Sequence, residues 1–294
     1  MPDPQAEQEV RAIELRTRPH VRVLGPNDLD AVGRLLARDP VTHVFVDHRV
    51  RVTRMEPRWL GGEIWGYHEG TELISLCHAA ANLAPVQGTP DALDAFAERA
   101  LRQGRTCGSI LGPEDEVGHL WRILGPEWGP ARSIRPHQPF MVLDRPPAVR
   151  PAPEVRRVRP DELDLLYPAC VAMYTEELGV SPEANGGARL YRARVAQLIA
   201  KGHAFAQIDD GDVVFKAELG AVTPHAAQLQ SVWVDPRHRG RGMAAGGVAA
   251  VCALALNDVA PVVSLYVNQH NEPARRAYDR VGFVTTGTFA TILF

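Results

Sequence analysis

The chain has 294 residues, of which 45% are hydrophobic, and its formal net charge is −3 at pH 7. This length is typical of two α/β domains, and the near-neutral charge excludes attraction to nucleic acid or to an anionic membrane by bulk electrostatics. No segment reaches the roughly 20 apolar residues that a membrane span requires.

The N-terminal residues 1–20 are polar and charged, so we predict an extension that carries no secretory signal. The four cysteines, Cys77, Cys107, Cys170 and Cys252, are scattered, with no close pair and no metal-ligand spacing. They indicate reduced, buried thiols, which are typical of a cytoplasmic protein. We therefore expect a cytoplasmic location, no metal, and no nucleic-acid or membrane partner. The sequence gives no indication of the oligomeric state.

A segment near the N-terminus, residues 21–32, recurs in pattern at residues 155–166, an offset of 134 residues (155 − 21). In each copy a short strand reaches a proline, polar or acidic residues follow, and a helix begins. The Pro-rich residues 146–154 are typical of a linker. We therefore predict two domains of one fold, residues 21–145 and 155–294, that arose by duplication.

The first half contains a predicted hairpin and a predicted helix. Residues 62–67 and 72–78 alternate around Glu69-Gly70 as a hairpin does, and residues 90–101 form an amphipathic helix with a good N-terminal cap. The loop before this helix, residues 84–89, has one glycine and no arginine. Such a loop offers little to hold an anion.

A glycine-punctuated loop in the second half predicts a phosphate-binding site. A β-rich strand ends at Asp235-Pro236, the loop Arg237–Gly242 follows, and an Ala-rich helix begins at Met243. Backbone N–H groups at such a turn, together with the positive end of the helix dipole, bind phosphate. Gly240 and Gly242 let the backbone approach the anion without a Cβ between them. The alternatives for a short motif of this kind are a surface turn or a nucleic-acid-binding tail.

A second motif, Asn271–Phe283, follows the β-rich residues 262–267, which we predict to be a buried strand. Asn271 fits the N-cap of a helix, and Gly282 fits the position just beyond its C-terminus. A final strand is predicted to begin at Phe283.

The loop Arg-x-x-Gly-x-Gly (Arg237–Gly242) and the segment Asn-x-x-Ala-x-x-x-Tyr-x-x-x-Gly-Phe (Asn271–Phe283) together resemble the GNAT superfamily of N-acetyltransferases. The resemblance covers residues 155–294. It implies an α/β (α+β) fold class with two GNAT-like domains, each a mixed, mostly antiparallel twisted sheet flanked by helices. The first domain is a degenerate copy, because its loop lacks the glycine and arginine pattern.

The resemblance implies acetyl-CoA, or another acyl-CoA, as co-substrate. The pantetheine arm would lie where one strand parts from the next, and backbone N–H groups would hold the diphosphate. Arg237 and Arg239 either face phosphate or lie in solvent, and Asn271 binds pantetheine, caps its helix, or does both. The predicted cofactor-binding residues are Val232, Trp233, Val234, Arg237, Arg239, Gly240, Arg241, Gly242, Met243, Asn271 and Tyr278.

Direct transfer to an amine needs a neutral amine, an N–H donor for the carbonyl oxygen and a proton for the departing thiolate. A backbone N–H near Val232 or Trp233 is the expected donor. The resemblance places Tyr278 at the position of the general acid, and the alternative is a tyrosine that only packs in the core.

The general base is open, because the strand before the loop, residues 226–232, carries glutamines where many members of the family carry a glutamate. The candidates are Glu176, Glu177, Glu218 and His225. We rank Glu176 and Glu177 first, because their segment lines the acceptor site in such folds. The alternative for each is a solvated side chain.

The predicted function is transfer of acetyl from acetyl-CoA to a primary amine, either of a small metabolite or of a protein. The first domain is predicted to line the acceptor site or to bind a regulator. The missing strand carboxylate and the degenerate first domain leave one alternative open, a non-catalytic sensor or scaffold that binds acyl-CoA without turnover.

Overall fold

The computed structural model describes residues 19–294, so the first 18 residues of the predicted N-terminal extension lie outside the described residues. The described chain divides into two compact units. The first contains residues 19–138 together with Thr288–Phe294, and the second contains Pro139–Gly287.

The first unit contains both strands and helices. Its strands are β1 (His20–Leu24), β2 (Glu63–Glu69), β3 (Glu72–Ala79), β4 (Asn82–Val86) and β5 (Ser109–Pro113). Its helices are α1 (Leu29–Leu36), α2 (Val44–Thr53), α3 (Pro57–Leu60), α4 (Pro90–Gln103) and α5 (Glu114–Trp128). Two further strands, β6 (Ser133–Leu143) and β12 (Val284–Leu293), each contribute residues to both units.

The strand order in the first unit is β1-β2-β3-β4-β5-β12, with antiparallel pairs except for β4 and β5, which are parallel. The predicted hairpin is confirmed by the antiparallel pairing of β2 with β3. The predicted helix is confirmed as α4, whose N-cap Thr89 accepts a hydrogen bond from the backbone N–H of Ala92.

The last seven residues, which the sequence analysis assigns to the second domain, pack in the first unit. Phe289–Leu293 pairs antiparallel with β5, and the backbone N–H of Phe294 donates to the carbonyl oxygen of Gly108. Ala290 and Ile292 are buried in a cluster with α4 and α5. The end of the chain is therefore part of the core of the first unit.

The second unit contains the remaining elements. Its strands are β7 (Arg156–Arg157), β8 (Ala204–Asp209), β9 (Asp212–Val222), β10 (Ala227–Val234) and β11 (Val263–Tyr266), besides its share of β6 and β12. Its helices are α6 (Leu163–Leu178), α7 (Ala188–Ala200), α8 (Met243–Asp258) and α9 (Glu272–Val281). The strand order is β6-β11-β10-β9-β8-β7, antiparallel except for β10 and β11.

The sheet of the second unit has a hydrophobic cluster on each face. Because side chains alternate along a strand, Phe215, Ala217 and Leu219 of β9 pack with α8 and α9 on one face. The other face is covered by α6 and α7. Helix α8 lies close to the sheet, because a Cβ at Gly247 would stand 2.6 Å from the ring of Phe215.

The Pro-rich segment before β7 has no regular secondary structure, but it is bound to the second unit. The backbone N–H of Ala148 donates to Val281, and that of Ala152 donates to Gly246. The four cysteines are buried and free, as the sequence predicts. In residues 19–294 none of the helices has both the length and the apolar character needed to cross a membrane.

Candidate functional site

Strands β10 and β11 pair at one end and separate at the other. Their parallel register comprises Ala227 with Val263 and Gln228 with Ser264, although β10 continues to Val234. Two parallel strands that part in this way leave a cleft with backbone N–H and C=O groups along its edge, onto which an extended ligand can add as a strand does. The resemblance implies such a separation at Val232–Val234.

A β-bulge lies in β10 where the cleft begins. Against β9, Gln230 pairs with Glu218 but the next pair joins Trp233 with Lys216, so β10 has one residue more than β9 between these pairs. Ser231 adopts a left-handed conformation with φ of 56°. A bulge redirects the backbone next to it, and bulges are common beside active sites. Here the bulge comprises Ser231 and Val232, which lie between these two pairs.

The predicted phosphate loop connects β10 to α8. Asp235 begins it, with its side chain accepting a hydrogen bond from the backbone N–H of Arg237. Gly240 and Gly242 have φ of 76° and 79°, which L-residues with a Cβ adopt only with strain. Gly242 is the N-cap of α8 and has no side chain to satisfy the first N–H groups of the helix. Such a helix N-terminus suits an anion.

The arginines of this loop differ in their partners. The guanidinium of Arg237 contacts Asp235 at 2.8 Å and Asp212 at 3.0 Å. Arg239 binds both carboxylate oxygens of Glu176, at 2.8 and 2.7 Å, while Arg241 is exposed. The hydrogen bonds and charge of Arg237 lower the pKa of Asp235 to about 2. Contact of Arg237 and Arg239 with phosphate stays a prediction.

Asn271 and Tyr278 lie on α9. The side-chain oxygen of Asn271 accepts a hydrogen bond from the backbone N–H of Ala274, which confirms the predicted N-cap. Tyr278 is 7% exposed and packs edge-on against Phe283. Burial, reinforced by the negative charges that Cys252 and Glu177 carry when ionised, raises the pKa of Tyr278 well above its ordinary value. Its hydroxyl therefore keeps its proton at neutral pH, and the raised pKa makes it a weaker acid than an ordinary tyrosine.

The adjacent candidates Glu176 and Glu177 at the end of α6 have different environments. The carboxylate of Glu176 is engaged by Arg239 and also accepts a hydrogen bond from the indole N–H of Trp233 at 3.3 Å. Hydrogen bonding to Arg239 lowers the pKa of Glu176, which makes it a weaker base. Glu177 is exposed and accepts a hydrogen bond from the amide of Asn268 at 3.2 Å.

Glu218 is buried beside a lysine that the sequence analysis did not single out. Nζ of Lys216 lies 2.6 Å from Oε1 of Glu218 and 3.4 Å from Sγ of Cys170. Gln230 and Arg194 approach the other oxygen of Glu218 at 3.5 and 3.7 Å. Burial alone raises the pKa of Glu218, but the charge of Lys216 outweighs it and holds the pKa below its ordinary value.

The signal for this pair was present in the sequence. Lys216 and Glu218 are two residues apart in an otherwise apolar strand, so their side chains share a face.

The last candidate base, His225, is exposed in the turn before β10, at the opposite end of that strand from the loop. The structure therefore brings Glu176 to the phosphate loop, leaves Glu177 exposed and hydrogen-bonded to Asn268, and places Glu218 in an internal ion pair.

The corresponding loop of the first unit, between β4 and α4, lies beside a carboxylate of α5. A Cβ at Gly88 would stand 2.9 Å from Oε2 of Glu116, an atom that is buried and has no hydrogen-bond partner among the described residues. Burial raises the pKa of Glu116 to about 7, although a hydrogen bond from the Gly88 backbone opposes this. An acidic side chain thus lies beside the loop that corresponds to the predicted phosphate loop of the second unit.

Among the described residues, no group of three or more His, Cys, Asp or Glu side chains is placed to hold a metal ion. The candidate site consists of the cleft, the bulge, the loop and the side chains around them.

Comparisons with known proteins place these elements in a family. The sequence profile of the acetyltransferase (GNAT) family matches residues 172–283, and that of a domain of unknown function, DUF4081, matches residues 62–166. No curated protein matches the chain.

Solved structures are similar in fold along nearly the whole chain. An acetyltransferase from the GNAT family from Colwellia psychrerythraea has 12% identity and a TM-score of 0.57, covering 94% of this chain and 99% of that chain. A GCN5-related N-acetyltransferase from Sphaerobacter thermophilus has 17% identity and a TM-score of 0.58, covering 94% and 95%. A tandem GNAT protein from the clavulanic acid biosynthesis pathway has 16% identity and a TM-score of 0.54, covering 94% and 98%.

These likenesses concern the fold, and they confirm the predicted fold class. The family match falls on the segment that contains the separated strands, the glycine loop and α9. Residues 172–283 therefore belong to the GNAT family of acetyltransferases.

Proposed function

We propose that the protein is an N-acetyltransferase whose second unit transfers acetyl from acetyl-CoA to a primary amine of a small metabolite or a protein. The observation that carries the proposal is the cleft between β10 and β11, which leads directly into the glycine loop at the start of α8. GNAT acetyltransferases use acetyl-CoA, and this combination offers an edge for its amide groups and an anion site for its diphosphate.

In this proposal the backbone carries most of the cofactor binding. The pantetheine arm lies along Val232–Val234 and pairs with the backbone of that edge. The diphosphate lies on the N–H groups from Arg239 to Met243, a segment in which Gly240 and Gly242 have positive φ. The side chain of Asn271 caps α9 at the same end of the cleft, and Arg241 supplies positive charge.

The chemistry is direct attack of a neutral amine on the thioester carbonyl. The C–N bond forms as negative charge develops on the carbonyl oxygen, where the N–H of Val232 beside the bulge stabilises it. The C–S bond then breaks, the departing sulfur takes a proton from the hydroxyl of Tyr278, and the proton that the attacking nitrogen loses restores that hydroxyl through solvent. Glu177 removes the proton of the incoming ammonium, directly or through a water molecule.

One specific observation favours the alternative of a non-catalytic acyl-CoA sensor. Strand β10 carries no carboxylate, and both Glu176 and Glu218 are engaged in ion pairs. Glu177 is therefore the remaining acidic candidate for the base. If Glu177 does not act, the second unit binds the cofactor without turnover.

The two functions are separated by measuring binding and turnover together. Calorimetry measures the Kd for acetyl-CoA, and a thiol assay measures release of CoA with a panel of amines, polyamines and peptides. Binding with turnover supports the transferase, and binding without turnover across the panel supports the sensor. A wild-type protein that fails to bind acetyl-CoA contradicts both.

A pair of glycine variants tests where the cofactor binds. Gly240 and Gly211 both have positive φ and open space around the missing Cβ, so alanine strains each backbone similarly. Gly240→Ala should raise the Kd for acetyl-CoA about tenfold, because strain of roughly 1–2 kcal/mol falls on the loop that holds the diphosphate. Gly211→Ala, in the turn between β8 and β9, should leave the Kd unchanged.

A further inference from the structure

Glu176 connects three separate segments of the second unit. It lies near the C-terminal end of α6, where its two oxygens face the two terminal nitrogens of Arg239 at 2.8 and 2.7 Å. One of these oxygens also accepts from the indole N–H of Trp233, whose ring is buried in the cluster with α6 and α7. The Nε of Arg239 donates in turn to the carbonyl oxygen of Val234.

These contacts fix the start and the middle of the phosphate loop. Val234 is the last residue of β10, and Arg239 immediately precedes the first left-handed glycine. A two-pronged arginine–carboxylate pair restricts orientation as well as distance, because the guanidinium fork is planar. The loop backbone between these points is therefore held by a side chain that belongs to α6.

Both oxygens of Glu176 are hydrogen-bonded in this arrangement. Both oxygens point at the loop and at Trp233, whereas its neighbour Glu177 is bound to Asn268. A general base needs an oxygen directed at the proton that it removes. The geometry therefore separates the roles of two adjacent glutamates.

We infer that Glu176 is a positioning residue for acetyl-CoA binding: its carboxylate holds Arg239 and Trp233 so that the glycine loop is ordered before the diphosphate arrives. It neither contacts the reacting atoms nor accepts the proton of the amine. This inference rests on the proposed function, since it assigns the loop to the cofactor.

The test compares Glu176→Gln with Glu177→Gln. Both substitutions remove one negative charge from adjacent residues on α6, but only the first breaks the bond to the loop. Glu176→Gln should raise the KM for acetyl-CoA about threefold to fivefold, the effect expected of a partly exposed ion pair, with kcat and its pH profile unchanged. Glu177→Gln should lower kcat and leave the KM for acetyl-CoA unchanged.

A double-variant comparison sharpens the test. Arg239→Gln should raise the KM for acetyl-CoA by the same factor as Glu176→Gln. The KM of the double variant should be no higher than that of either single variant, because the two side chains act as one unit. A fall in kcat with loss of the acidic limb of the pH profile in Glu176→Gln would instead make Glu176 the base and overturn the inference.

Hydrogen exchange of the ligand-free protein gives a readout that does not depend on the cofactor. Amides of residues 235–243 should exchange faster in Glu176→Gln than in the wild type, and at the wild-type rate in Glu177→Gln. Unchanged exchange in Glu176→Gln refutes the inference even if the enzyme is active. Faster exchange in a protein that does not bind acetyl-CoA refutes the proposed function and leaves the structural role of Glu176 standing.

Discussion

Arg156 and Glu162 form a two-pronged ion pair at the entrance to α6. The terminal nitrogens of Arg156 donate to the two oxygens of Glu162 at 2.7 and 2.6 Å. The same carboxylate accepts the backbone N–H of Arg159 at 2.8 Å, and Glu162 is 4% exposed. The pair thus closes the turn that connects the short strand β7 to the helix.

The first unit contains the same arrangement 134 positions earlier. Arg22 donates to both oxygens of Asp28, and Asp28 accepts the backbone N–H of Gly25 at 2.9 Å. The residues that correspond are Arg22 with Arg156, Gly25 with Arg159, and Asp28 with Glu162. The repeat seen in the sequence therefore extends to a side-chain interaction, which supports the predicted duplication.

Glu162→Gln should destabilise the second unit by about 1–2 kcal/mol, because it leaves Arg156 without its charged partner and weakens the bond to Arg159. Hydrogen bonding to Arg156 lowers the pKa of Glu162 to about 2. Because the pKa is lower in the folded state, the ionised carboxylate stabilises the fold at pH values above its unfolded pKa near 4.5. This stabilisation is lost as the pH falls toward 2. We therefore expect the free energies of unfolding of variant and wild type, measured with denaturant, to differ less at pH 3 than at pH 7.

The control for this variant is Asp161→Asn. Asp161 is adjacent and pairs with Arg159 at 3.3 Å, but its side chain is 73% exposed, so its removal should change stability little. Equal destabilisation by the two variants would contradict the role given to the buried carboxylate.

Ile292→Ala should destabilise the first unit although the residue lies at the opposite end of the sequence. Ile292 is 3% exposed in the cluster with α4 and α5, and truncation of such a side chain costs about 2–5 kcal/mol. Hydrogen exchange should show increased opening of α4 and α5. Thr286→Ala, at an exposed position of the same strand, should leave this exchange unchanged. Faster exchange confined to α8 and α9 would contradict the placement of the last strand.

The features that were predictable from the sequence have local signals. The phosphate loop is marked by glycines at the positions of positive φ, and the start of α9 by Asn271. The hairpin of β2 and β3 follows from alternation on both sides of a turn. In each case the residues that determine the structure are close in the sequence, so a short window contains the cause.

The features that were not predictable depend on long-range contacts. Arg239 and Glu176 are 63 residues apart, and Lys216 and Cys170 are 46 apart. The last strand pairs with β5 across a still longer separation. Ser231 has a left-handed backbone without being glycine or asparagine, so nothing in its residue type indicates the bulge. Such features follow from register and packing rather than from a pattern in the chain.

Tyr278→Phe should lower kcat by about 10²-fold with little effect on the KM for acetyl-CoA, since the hydroxyl supplies a proton to the thiolate but the ring supplies the packing. The edge-on contact with Phe283 is kept, so thermal stability should change little. Tyr174→Phe is the control, because Tyr174 also packs edge-on against another aromatic ring, that of Tyr191. An unchanged kcat in Tyr278→Phe would make Tyr278 a core residue only.

Glu116→Gln should change the pH dependence of stability in the first unit. Burial raises the pKa of Glu116 to about 7, from an ordinary value of 4.5. Between these values the folded protein keeps a proton that the unfolded chain releases, so stability falls as the pH rises through this window. A shift of this size corresponds to at most about 3 kcal/mol. The side-chain amide that Glu116→Gln introduces stays neutral at every pH, so this fall should disappear in the variant.

The measurement is chemical unfolding of wild type and Glu116→Gln at pH 5 and pH 8, followed by a probe of the first unit such as the fluorescence of Trp121 and Trp128. At pH 8 the free energy of unfolding should be higher for the variant than for the wild type. At pH 5 the difference between the two free energies should be smaller or absent. Asp115→Asn is the control, because Asp115 precedes Glu116 on α5 but is exposed to solvent. The difference in free energy of unfolding between the two proteins could instead be the same at pH 5 and pH 8. Glu116 would then be ionised at both pH values, which would contradict the desolvation that its position beside Gly88 indicates.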